Sequence, residues 1–379
     1  MSDTPALRFA AIGLDHRHIY DQVKSLLDIG AQCAGFWSHD DSAPLAGFLE
    51  RFPQIRRVRD RASLLEDASI QLVACAAVPN TRADLAIEAM RHGKDVMMDK
   101  PGLTTFEQLE SVRQVQRETG RIFSVDFTER FEVRAAIRAG ELIEAGAIGR
   151  VIHTCGLGPH RMNRASRPPW FFDKAIYGGI LVDIGSHQFD QFLHFTGSTD
   201  ARIVSASTFN RAHTDAPDLE DIGEVVLQTD SASGYFRVDW FTPDGLSTWG
   251  DGRLTLVGTE GTIELRKYID VAGRPGADHL FLTDRTSTRH IDCSDVPLTY
   301  YEDLRFDIVN RTQTAMTQQH CFKVCELSLT AQAMAMGLPV RNPCGQEKNP
   351  DPGNQGGRHV VRMNTAACPF PPLRDGTQT

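Results

Sequence analysis

The first 130 residues alternate short apolar runs with amphipathic segments. Apolar runs of five or six residues predict strands, and segments with apolar residues three or four apart predict helices, which begin near residues 19, 85 and 106. The predicted strands are 7–12, 33–37, 72–78, 96–98 and 122–127. Strands that alternate with helices are typical of a parallel sheet covered on both faces. We therefore predict an α/β N-terminal domain over residues 1–127, a Rossmann doubly wound parallel sheet.

The pattern changes after residue 127. Helices are predicted at 133–145, 180–195 and 321–336, and a loop rich in Arg and Pro at 156–173. Strands follow one another between residues 202 and 282 without intervening helices, which indicates a large, mostly antiparallel open sheet. We predict a C-terminal α+β domain at 128–341.

Residues 342–379 have a different composition from the rest of the chain. They are rich in Pro, Gly, Asn, Gln and Arg and contain few core-forming residues. Because proline blocks regular structure, we predict an extended or weakly ordered tail. An arm that embraces a partner is the alternative.

Composition and charge exclude several classes of protein. Of 379 residues, 41% are hydrophobic and 23% charged, which is ordinary globular usage. The net charge of −9, without a Lys/Arg block, argues against nucleic acid or an anionic membrane as partner. Apolar stretches are strand-sized, the N-terminus lacks a signal-peptide pattern, and eight cysteines form no CxxC pair. We expect a reduced, cytoplasmic protein.

A possible nucleotide loop follows the first predicted strand. A strand, Gly13 and then a helix are what a dinucleotide fold uses to bind pyrophosphate. Only the first glycine of G-x-G-x-x-G is kept, because residues 13–18 read Gly-Leu-Asp-His-Arg-His. Either His16, Arg17 or His18 donates to phosphate, or the loop is purely structural. A carboxylate facing phosphate is costly, so we predict that Asp15 turns away as the helix N-cap.

The end of the second strand bears on cofactor preference. An acidic residue there would bind the adenosine ribose, but Ser38 takes that position and His39 follows. A small residue followed by a possible cation favours the 2′-phosphate of NADP, whereas Asp40 and Asp41 oppose it by charge repulsion. The sequence leaves both NAD and NADP open.

Three later motifs carry a resemblance to a known family. Val78-Pro79-Asn80 and Asp99-Lys100-Pro101 follow successive strands, and residues 178–187 read Gly-Gly-Ile-Leu-Val-Asp-Ile-Gly-Ser-His. In this order they resemble the Thr-Pro-Asn, Glu-Lys-Pro and Gly-Gly-…-Asp-x-x-x-His motifs of Gfo/Idh/MocA oxidoreductases, over residues 5–340. The chain departs from the pattern at Val78, at Asp99, which replaces Glu, and at Ala83, where His is frequent.

The resemblance implies a fold and an assembly. Family members have a Rossmann domain followed by an α/β domain whose open sheet often packs against another subunit. The resemblance therefore implies that residues 128–341 form the substrate and oligomerisation domain, and a homo-oligomer, dimer or tetramer, is expected. The resemblance also implies that NAD or NADP is bound by residues in the turns after the strands. These cofactor-binding candidates are Gly13, Asp15, His16, His18, Ser38, His39, Pro79, Asn80, Asp99 and Lys100.

The predicted catalytic residues are Lys100, Asp183 and His187. Lys100 follows a strand end, the rim where doubly wound sheets bind ligands, and the resemblance puts it near the nicotinamide and the reacting oxygen. Asp183 and His187 are four apart on one helical face, and His suits proton transfer near neutral pH. By resemblance His187 is the general base or acid, and Asp183 positions it or the substrate. Which of Lys100 and His187 moves the proton stays open.

The polar stripe of this helix continues to Asp190 and His194. Such spacing could hold zinc or iron. Because the resemblance already accounts for Asp183 and His187, we predict no metal.

The loop that precedes the catalytic helix carries Arg161, Arg164 and Trp170. Arg donates two hydrogen bonds to a carboxylate, and Trp stacks on the apolar face of a sugar ring. The loop therefore suits a carbohydrate or an acidic sugar. A surface loop pinned into the core by Trp170 is equally compatible. The predicted substrate-binding residues are Lys100, Arg161, Arg164, Trp170, Asp183 and His187.

The predicted function is an NAD(P)-dependent dehydrogenase. It would oxidise a hydroxyl of a sugar, polyol or sugar acid, or reduce the ketone, and its partner is a small carbohydrate. One alternative is an NAD-dependent glycosidase or lyase that oxidises its substrate transiently. Another is a non-catalytic sugar or nucleotide sensor.

Overall fold

Two sheets organise residues 6–339, the part of the chain that the computed structural model describes. The first sheet has five parallel strands in the order β2-β1-β3-β4-β5. Its strands are β1 (Arg8–Leu14), β2 (Gln32–Trp37), β3 (Leu72–Ala76), β4 (Asp95–Asp99) and β5 (Phe123–Asp126). All residues of β3, β4 and β5 are buried, which is typical of strands covered on both faces.

Helices connect these strands and confirm the doubly wound α/β prediction. They are α1 (Ile19–Asp28), α2 (Leu45–Arg51), α3 (Ala62–Leu65), α4 (Arg82–Arg91) and α5 (Phe106–Thr119). A short 3₁₀ turn, Pro79–Thr81, precedes α4. Because β1 lies between β2 and β3, the strand order reverses beside it, and a ligand crevice is expected at the carboxyl ends of these strands.

The second sheet has eight strands in the order β13-β12-β11-β10-β6-β9-β8-β7. Every neighbouring pair is antiparallel except β6 and β9, so the predicted mostly antiparallel sheet is confirmed. Its strands are β6 (Val151–Pro159), β7 (Arg202–Phe209), β8 (Ile222–Gln228), β9 (Ser233–Asp239), β10 (Arg253–Gly258), β11 (Thr262–Arg266), β12 (His279–Thr283) and β13 (Thr288–Ile291).

The remaining helices pack on one face of this sheet and against the edge of the first. They are α6 (Thr128–Phe131), α7 (Arg134–Glu144), α8 (Lys174–Tyr177), α9 (Ile180–Asp183), α10 (Gly185–Thr196), α11 (Tyr300–Asn310) and α12 (Gln318–Ala335). Strand β5 is the edge that α11 and α12 cover. The Phe123 N–H donates to Gln318 Oε1 at 2.9 Å, and the Ser124 and Tyr300 hydroxyls lie 2.7 Å apart.

The loop predicted to begin at Gly156 is instead the second half of β6. This strand pairs with β10 on one side and β9 on the other, through to Pro159. A Cβ added to Gly156 would lie 2.2 Å from Gln188 Oε1, and one added to Gly158 would lie 3.1 Å from Gln188 Nε2. The two glycines read as a loop in the sequence, but they let α10 pack directly on the strand.

Other boundaries differ in smaller ways. The helix predicted at 180–195 is divided at Ile184 into α9 and α10, although Ile184 keeps helical angles (φ −81°, ψ −37°). Helices α2 and α11 and strand β13 were not predicted. The predicted tail at 342–379 lies outside the described residues, and the domain division at residue 127 stays a prediction.

Two predictions about the chain as a whole can be compared with residues 6–339. In this part of the chain no helix is both long and apolar enough to cross a lipid bilayer. The six cysteines within it are free thiols, namely Cys33, Cys75, Cys155, Cys293, Cys321 and Cys325.

Candidate active site

A cavity of about 420 Å³ opens beyond the carboxyl ends of the parallel strands. Its wall combines residues that follow β1, β3 and β4 with residues from the loop after β6 and from α9 and α10. Eight residues predicted from the sequence line it, namely His16, His18, Pro79, Lys100, Arg161, Trp170, Asp183 and His187. The structure therefore brings the three predicted catalytic residues into one site.

Lys100 and Asp183 form an ion pair inside this cavity. Lys100 Nζ donates to Asp183 Oδ1 at 2.7 Å, and the side chains are 6% and 13% exposed. Burial alone would raise the pKa of Asp183, but the Lys100 ammonium and its hydrogen bond outweigh burial and lower that pKa. Asp183 therefore holds the Lys100 ammonium at a fixed position on the cavity wall.

His187 is a neutral imidazole on the same wall. It is 2% exposed, and burial lowers its pKa to about 4, against the opposing charge of Glu129. Its Nδ1 is buried and has no hydrogen-bond partner among the described residues. A neutral imidazole can accept a proton at physiological pH, which is what a general base must do.

A buried ion pair lies near His187. Lys267 Nζ donates to Glu129 Oε2 at 2.6 Å, with side-chain exposures of 0% and 2%. The same oxygen accepts a hydrogen bond from Gln188 Nε2 at 3.0 Å, whereas Glu129 Oε1 has no partner within the described chain. The neighbouring Lys267 charge helps to lower the pKa of Glu129 to about 2 although burial opposes it, so Glu129 stays ionised.

Asp99 gathers three cationic or polar side chains beside the nucleotide loop. His16 Nδ1 and His18 Nδ1 lie 3.2 and 2.7 Å from its oxygens, and Arg82 Nη2 donates to it at 2.9 Å. Burial would raise the pKa of Asp99, but these three neighbours hold it well below its usual range. Burial also lowers the pKa of His16 to about 4. We refer to His16, His18, Arg82 and Asp99 as the Asp99 cluster.

The polar stripe of α10 does not form a metal site in residues 6–339. Asp190 is fully buried and accepts two hydrogen bonds of 2.7 Å from Arg130 and one of 2.8 Å from His320. His194 is not part of that group. In the described chain, only His16, His18 and Asp99 place His and carboxylate ligand atoms within mutual reach of a metal ion.

The prediction that Asp15 caps helix α1 is wrong. The helix begins at Ile19 with His18 at the N-cap, and no side chain caps it. The loop bends back instead, because the N–H groups of Asp15 and His16 both donate to Ala76 O at 2.9 Å. These two amides are therefore already bonded and are not free donors for a phosphate. Burial raises the pKa of Asp15.

The crevice beside Gly13 has the shape that a dinucleotide needs. Gly13 adopts a φ of +82°, and a Cβ there would lie 2.5 Å from Ala77 Cβ, so only glycine lets β1 and β3 approach this closely. A cavity of about 270 Å³ is lined by Gly13, Asp15, His39 and Val78 among others. The cavity at the end of β1, together with the family's NAD-binding Rossmann domain described below, fits NAD or NADP.

A further cavity of about 410 Å³ lies past the end of β2. Ser38 is buried there and offers no carboxylate to a ribose, and His39 and Arg57 line the same space. Arg57 Nη2 lies 2.6 Å from an Asp40 carboxylate oxygen, so this ion pair partly neutralises the charge of Arg57. Asn80 is not among the residues that line these cavities, and its backbone carbonyl accepts a hydrogen bond from Gln108 Nε2 at 2.7 Å. This region is compatible with both cofactors.

The loop before the catalytic helix contributes an arginine that was not among the two predicted. Arg161 lines the cavity but donates to the Pro243 and Leu246 carbonyls. Arg164 is not among the lining residues and pairs with the exposed Asp215 at 2.6 Å. Arg167 lines the cavity together with Trp170 and was missed, although it belongs to the same predicted loop.

Other lining residues were also missed. His160 directly follows β6, and burial lowers its pKa to about 3. Asp126 ends β5 and shares Tyr301 with Glu132, since the Tyr301 hydroxyl lies 3.0 and 2.7 Å from the two carboxyl groups. Burial and the neighbouring Glu132 raise the pKa of Asp126 well above its usual value. The position of Asp126 at a parallel strand end was a signal that could have found it.

Comparison with known proteins agrees with this geometry. Residues 7–127 match an oxidoreductase family with an NAD-binding Rossmann fold, and residues 136–264 match the GFO/IDH/MocA C-terminal domain. A solved structure from Erwinia carotovora atroseptica, named only as an oxidoreductase, is 48% identical with a TM-score of 0.84. That match covers 87% of this chain and 98% of the other.

Two curated relatives from Bacillus subtilis (strain 168) differ in their cofactor. The scyllo-inositol 2-dehydrogenase (NAD(+)) is 31% identical over 54% of this chain, and the chain spans only 57% of that enzyme's length. The scyllo-inositol 2-dehydrogenase (NADP(+)) is 27% identical over 40% of this chain and 41% of its own. With both family domains matched in order, this chain belongs to the Gfo/Idh/MocA family of oxidoreductases.

Proposed function

We propose that this protein is an NAD(P)-dependent oxidoreductase that oxidises a hydroxyl of a sugar, polyol or sugar acid, or reduces the corresponding ketone. The observation that carries the proposal is the Lys100–Asp183 ion pair, 2.7 Å long, in one cavity with the neutral His187. Two of the curated relatives are named inositol dehydrogenases, which supports the same reaction class.

The residues of the cavity divide the chemistry between them. A bound NAD or NADP would supply the hydride acceptor. The Lys100 ammonium, held by Asp183, stabilises negative charge that develops on the reacting oxygen. The His187 imidazole lies in the same cavity, and its Nδ1 has no hydrogen-bond partner among the described residues, so this nitrogen is available to exchange the hydroxyl proton.

The cofactor would lie along the crevice from Gly13 to Lys100. Its adenosine end would occupy the space beside Ser38 and His39, and Arg17 would face its phosphates. NAD and NADP are both kept in the proposal, because Ser38 gives neither a ribose-binding carboxylate nor a dedicated phosphate ligand.

The first experiment measures thermal unfolding with NADH and with NADPH, followed by turnover on matched sugars, polyols and sugar acids. A cofactor at about 100 times its Kd adds about 2.7 kcal/mol, which shifts Tm by a few degrees in a chain of this size. We expect a shift with one cofactor and accumulation of reduced cofactor with at least one substrate class. Product without accumulated reduced cofactor would favour transient oxidation by a glycosidase or lyase.

Failure of cofactor binding would overturn the proposal. If neither nucleotide shifts Tm and mass spectrometry of the denatured protein finds none bound, the protein is not a dehydrogenase. The bonded amides of Asp15 and His16 favour the sensor alternative in that case.

We also propose a cytoplasmic homo-oligomer that forms through the eight-stranded sheet. The helices pack on one face of this sheet, and the opposite face presents half-exposed side chains such as Leu157, Val226 and Tyr235. Light scattering on the full chain tests this proposal, and Val226→Lys should shift the assembly toward monomer.

A further inference from the structure

Arg167 is held rigidly at the edge of the cavity. Its Nε donates to Met162 O at 2.8 Å and its Nη2 to Arg161 O at 3.3 Å. The guanidinium also lies over two rings, 4.4 Å from the centre of Phe171 and 5.0 Å from that of Trp240. Backbone carbonyls and aromatic faces therefore fix the plane of the group before any ligand binds.

No carboxylate of residues 6–339 forms an ion pair with Arg167. The acidic group that influences it most is Asp183, whose carboxylate already binds Lys100 at 2.7 Å. The contrast with Arg164 is direct, because Arg164 meets Asp215 at 2.6 Å in the same loop. A largely buried cation without a counter-ion is unfavourable, and burial accordingly lowers the pKa of Arg167.

The unused donors of Arg167 form one edge of the guanidinium. A guanidinium has five N–H groups, and the two bonds to carbonyls use one on Nε and one on Nη2. Nη1 makes no hydrogen bond within the described residues, so Nη1 and the remaining Nη2 hydrogen leave a fork. Such a fork matches the two oxygens of a carboxylate.

The fork belongs to the same cavity as the reacting groups. Arg167 lines the cavity with Lys100 and His187, and its volume of about 420 Å³ is within the range of small-ligand sites. The lining acids Asp126 and Glu132 form no ion pair with Arg167, and both accept a hydrogen bond from the Tyr301 hydroxyl instead. The site therefore has a free cation at one position and a proton acceptor at another.

We infer that Arg167 binds an oxyanion of the substrate, a carboxylate, and that the protein acts on a sugar acid in preference to a neutral sugar. Trp170 and Trp249, which also line the cavity, offer faces for the C–H groups of the sugar between the two ends. The inference rests on the proposed oxidoreductase function and narrows its substrate class.

The test compares acids with neutral sugars of the same configuration. A panel of hexonates and hexuronates, each matched with its aldose or polyol, is assayed by reduced cofactor formed, and binding is measured by calorimetry with NADH or NADPH present. We expect kcat/KM for the best acid to exceed that of its neutral match by at least about 100-fold. A sugar phosphate in the panel distinguishes the other source of an oxyanion.

Variants separate recognition from chemistry. Arg167→Gln should lower kcat/KM for the acid about 100-fold, mainly through KM, and should lower that for the neutral match far less, whereas Arg167→Lys should retain part of the preference. Arg211→Gln is the matched control, because Arg211 lies over Phe209 at 4.0 Å but is exposed and outside the cavity lining. Tm of each variant shows that it folds.

Four outcomes would overturn the inference. The first is an equal kcat/KM for the acid and its neutral match in the unaltered protein. The second is an equal fall in kcat/KM for both substrates in Arg167→Gln. The third is the absence of calorimetric binding by every acid in the panel, and the fourth is tighter binding of the sugar phosphate than of any acid.

The proposed function survives each of these outcomes if a cofactor binds and a neutral substrate is oxidised. Absent cofactor binding would instead overturn the proposed function itself.

Discussion

The cavity has two walls that treat their polar groups in opposite ways. On the nucleotide side, the polar groups of the Asp99 cluster are paired with one another, since the Asp99 carboxylate contacts His16, His18 and Arg82. On the substrate side, His187 Nδ1 and the outer edge of Arg167 find no partner among residues 6–339.

The difference separates structure from recognition. A buried polar group whose hydrogen bonds are all made is fixed in place and contributes to folding. A buried polar group without a hydrogen-bond partner costs stability until a ligand binds to it. The Asp99 cluster should therefore matter most to stability, and the substrate wall most to binding and turnover. Lys100 lies where the two walls meet.

The largest expected effect is on turnover, at that meeting point. Replacing Lys100 with Met removes the cation that Asp183 holds at 2.7 Å, so kcat should fall about a thousandfold. Steady-state assays by reduced cofactor formed measure the change, and Lys24→Met, which breaks an exposed ion pair with Asp28, is the control. A fall of less than tenfold with cofactor binding retained would remove Lys100 from the chemistry.

The next effect is on stability, within the Asp99 cluster. Asp99→Asn leaves the guanidinium of Arg82, which is 1% exposed, without its counter-charge, and should cost about 3 kcal/mol of unfolding free energy. Urea unfolding measures this cost. Asp28→Asn removes one side of an exposed pair and should cost less than about 1 kcal/mol. Similar losses in both variants would mean that the cluster is not the structural wall.

The smallest effect near neutral pH is a change in the pH dependence of stability, which arises on the substrate wall. The pKa of His187 is about 4 in the folded protein, whereas an unperturbed histidine has a pKa of 6.5, so the unfolded chain binds the additional proton between these values. The contribution of His187 to stability is retained above pH 6.5 and falls by up to about 1.4 kcal/mol per pH unit as pH drops toward 4. His16, His160 and His194, whose pKa values burial also lowers, add their own losses over this range.

His187→Asn removes this contribution. Unfolding free energies of the variant should therefore depend less steeply on pH, by up to one proton, between pH 6.5 and about 4. The exposed His92→Asn variant should keep the slope of the unaltered protein. Identical slopes in all three proteins would show that His187 is not held neutral by burial.

The sequence predicts what depends on strand ends and helical spacing. Lys100, which follows a strand, and Asp183 and His187, which are four apart, line one cavity because the fold fixes such positions. Their catalytic roles stay a prediction. The sequence could not show that Arg167 lines the cavity and Arg164 does not. Both arginines lie in one loop, and only the fold decides which of them meets an exposed carboxylate.

Two other misses have physical causes as well. Asp is a preferred N-cap residue, but the backbone N–H groups of Asp15 and His16 donate hydrogen bonds to the Ala76 carbonyl. The helix therefore begins only at Ile19. Gly156 and Gly158 have loop-like composition, yet strands on both sides keep them in β6. In each case contacts distant in sequence outweigh a local preference.

The close seating of Gln188 on the two glycines of β6 has a consequence for protein engineering. A methyl group at Gly156 would lie 2.2 Å from Gln188 Oε1, so a side chain there would displace the Gln188 amide, which donates to Glu129 Oε2 at 3.0 Å beside His187. A library that seeks new substrates should leave this strand untouched and vary the loop around Arg167. Altered specificity can then be selected while the hydrogen bond between Gln188 and Glu129 is kept.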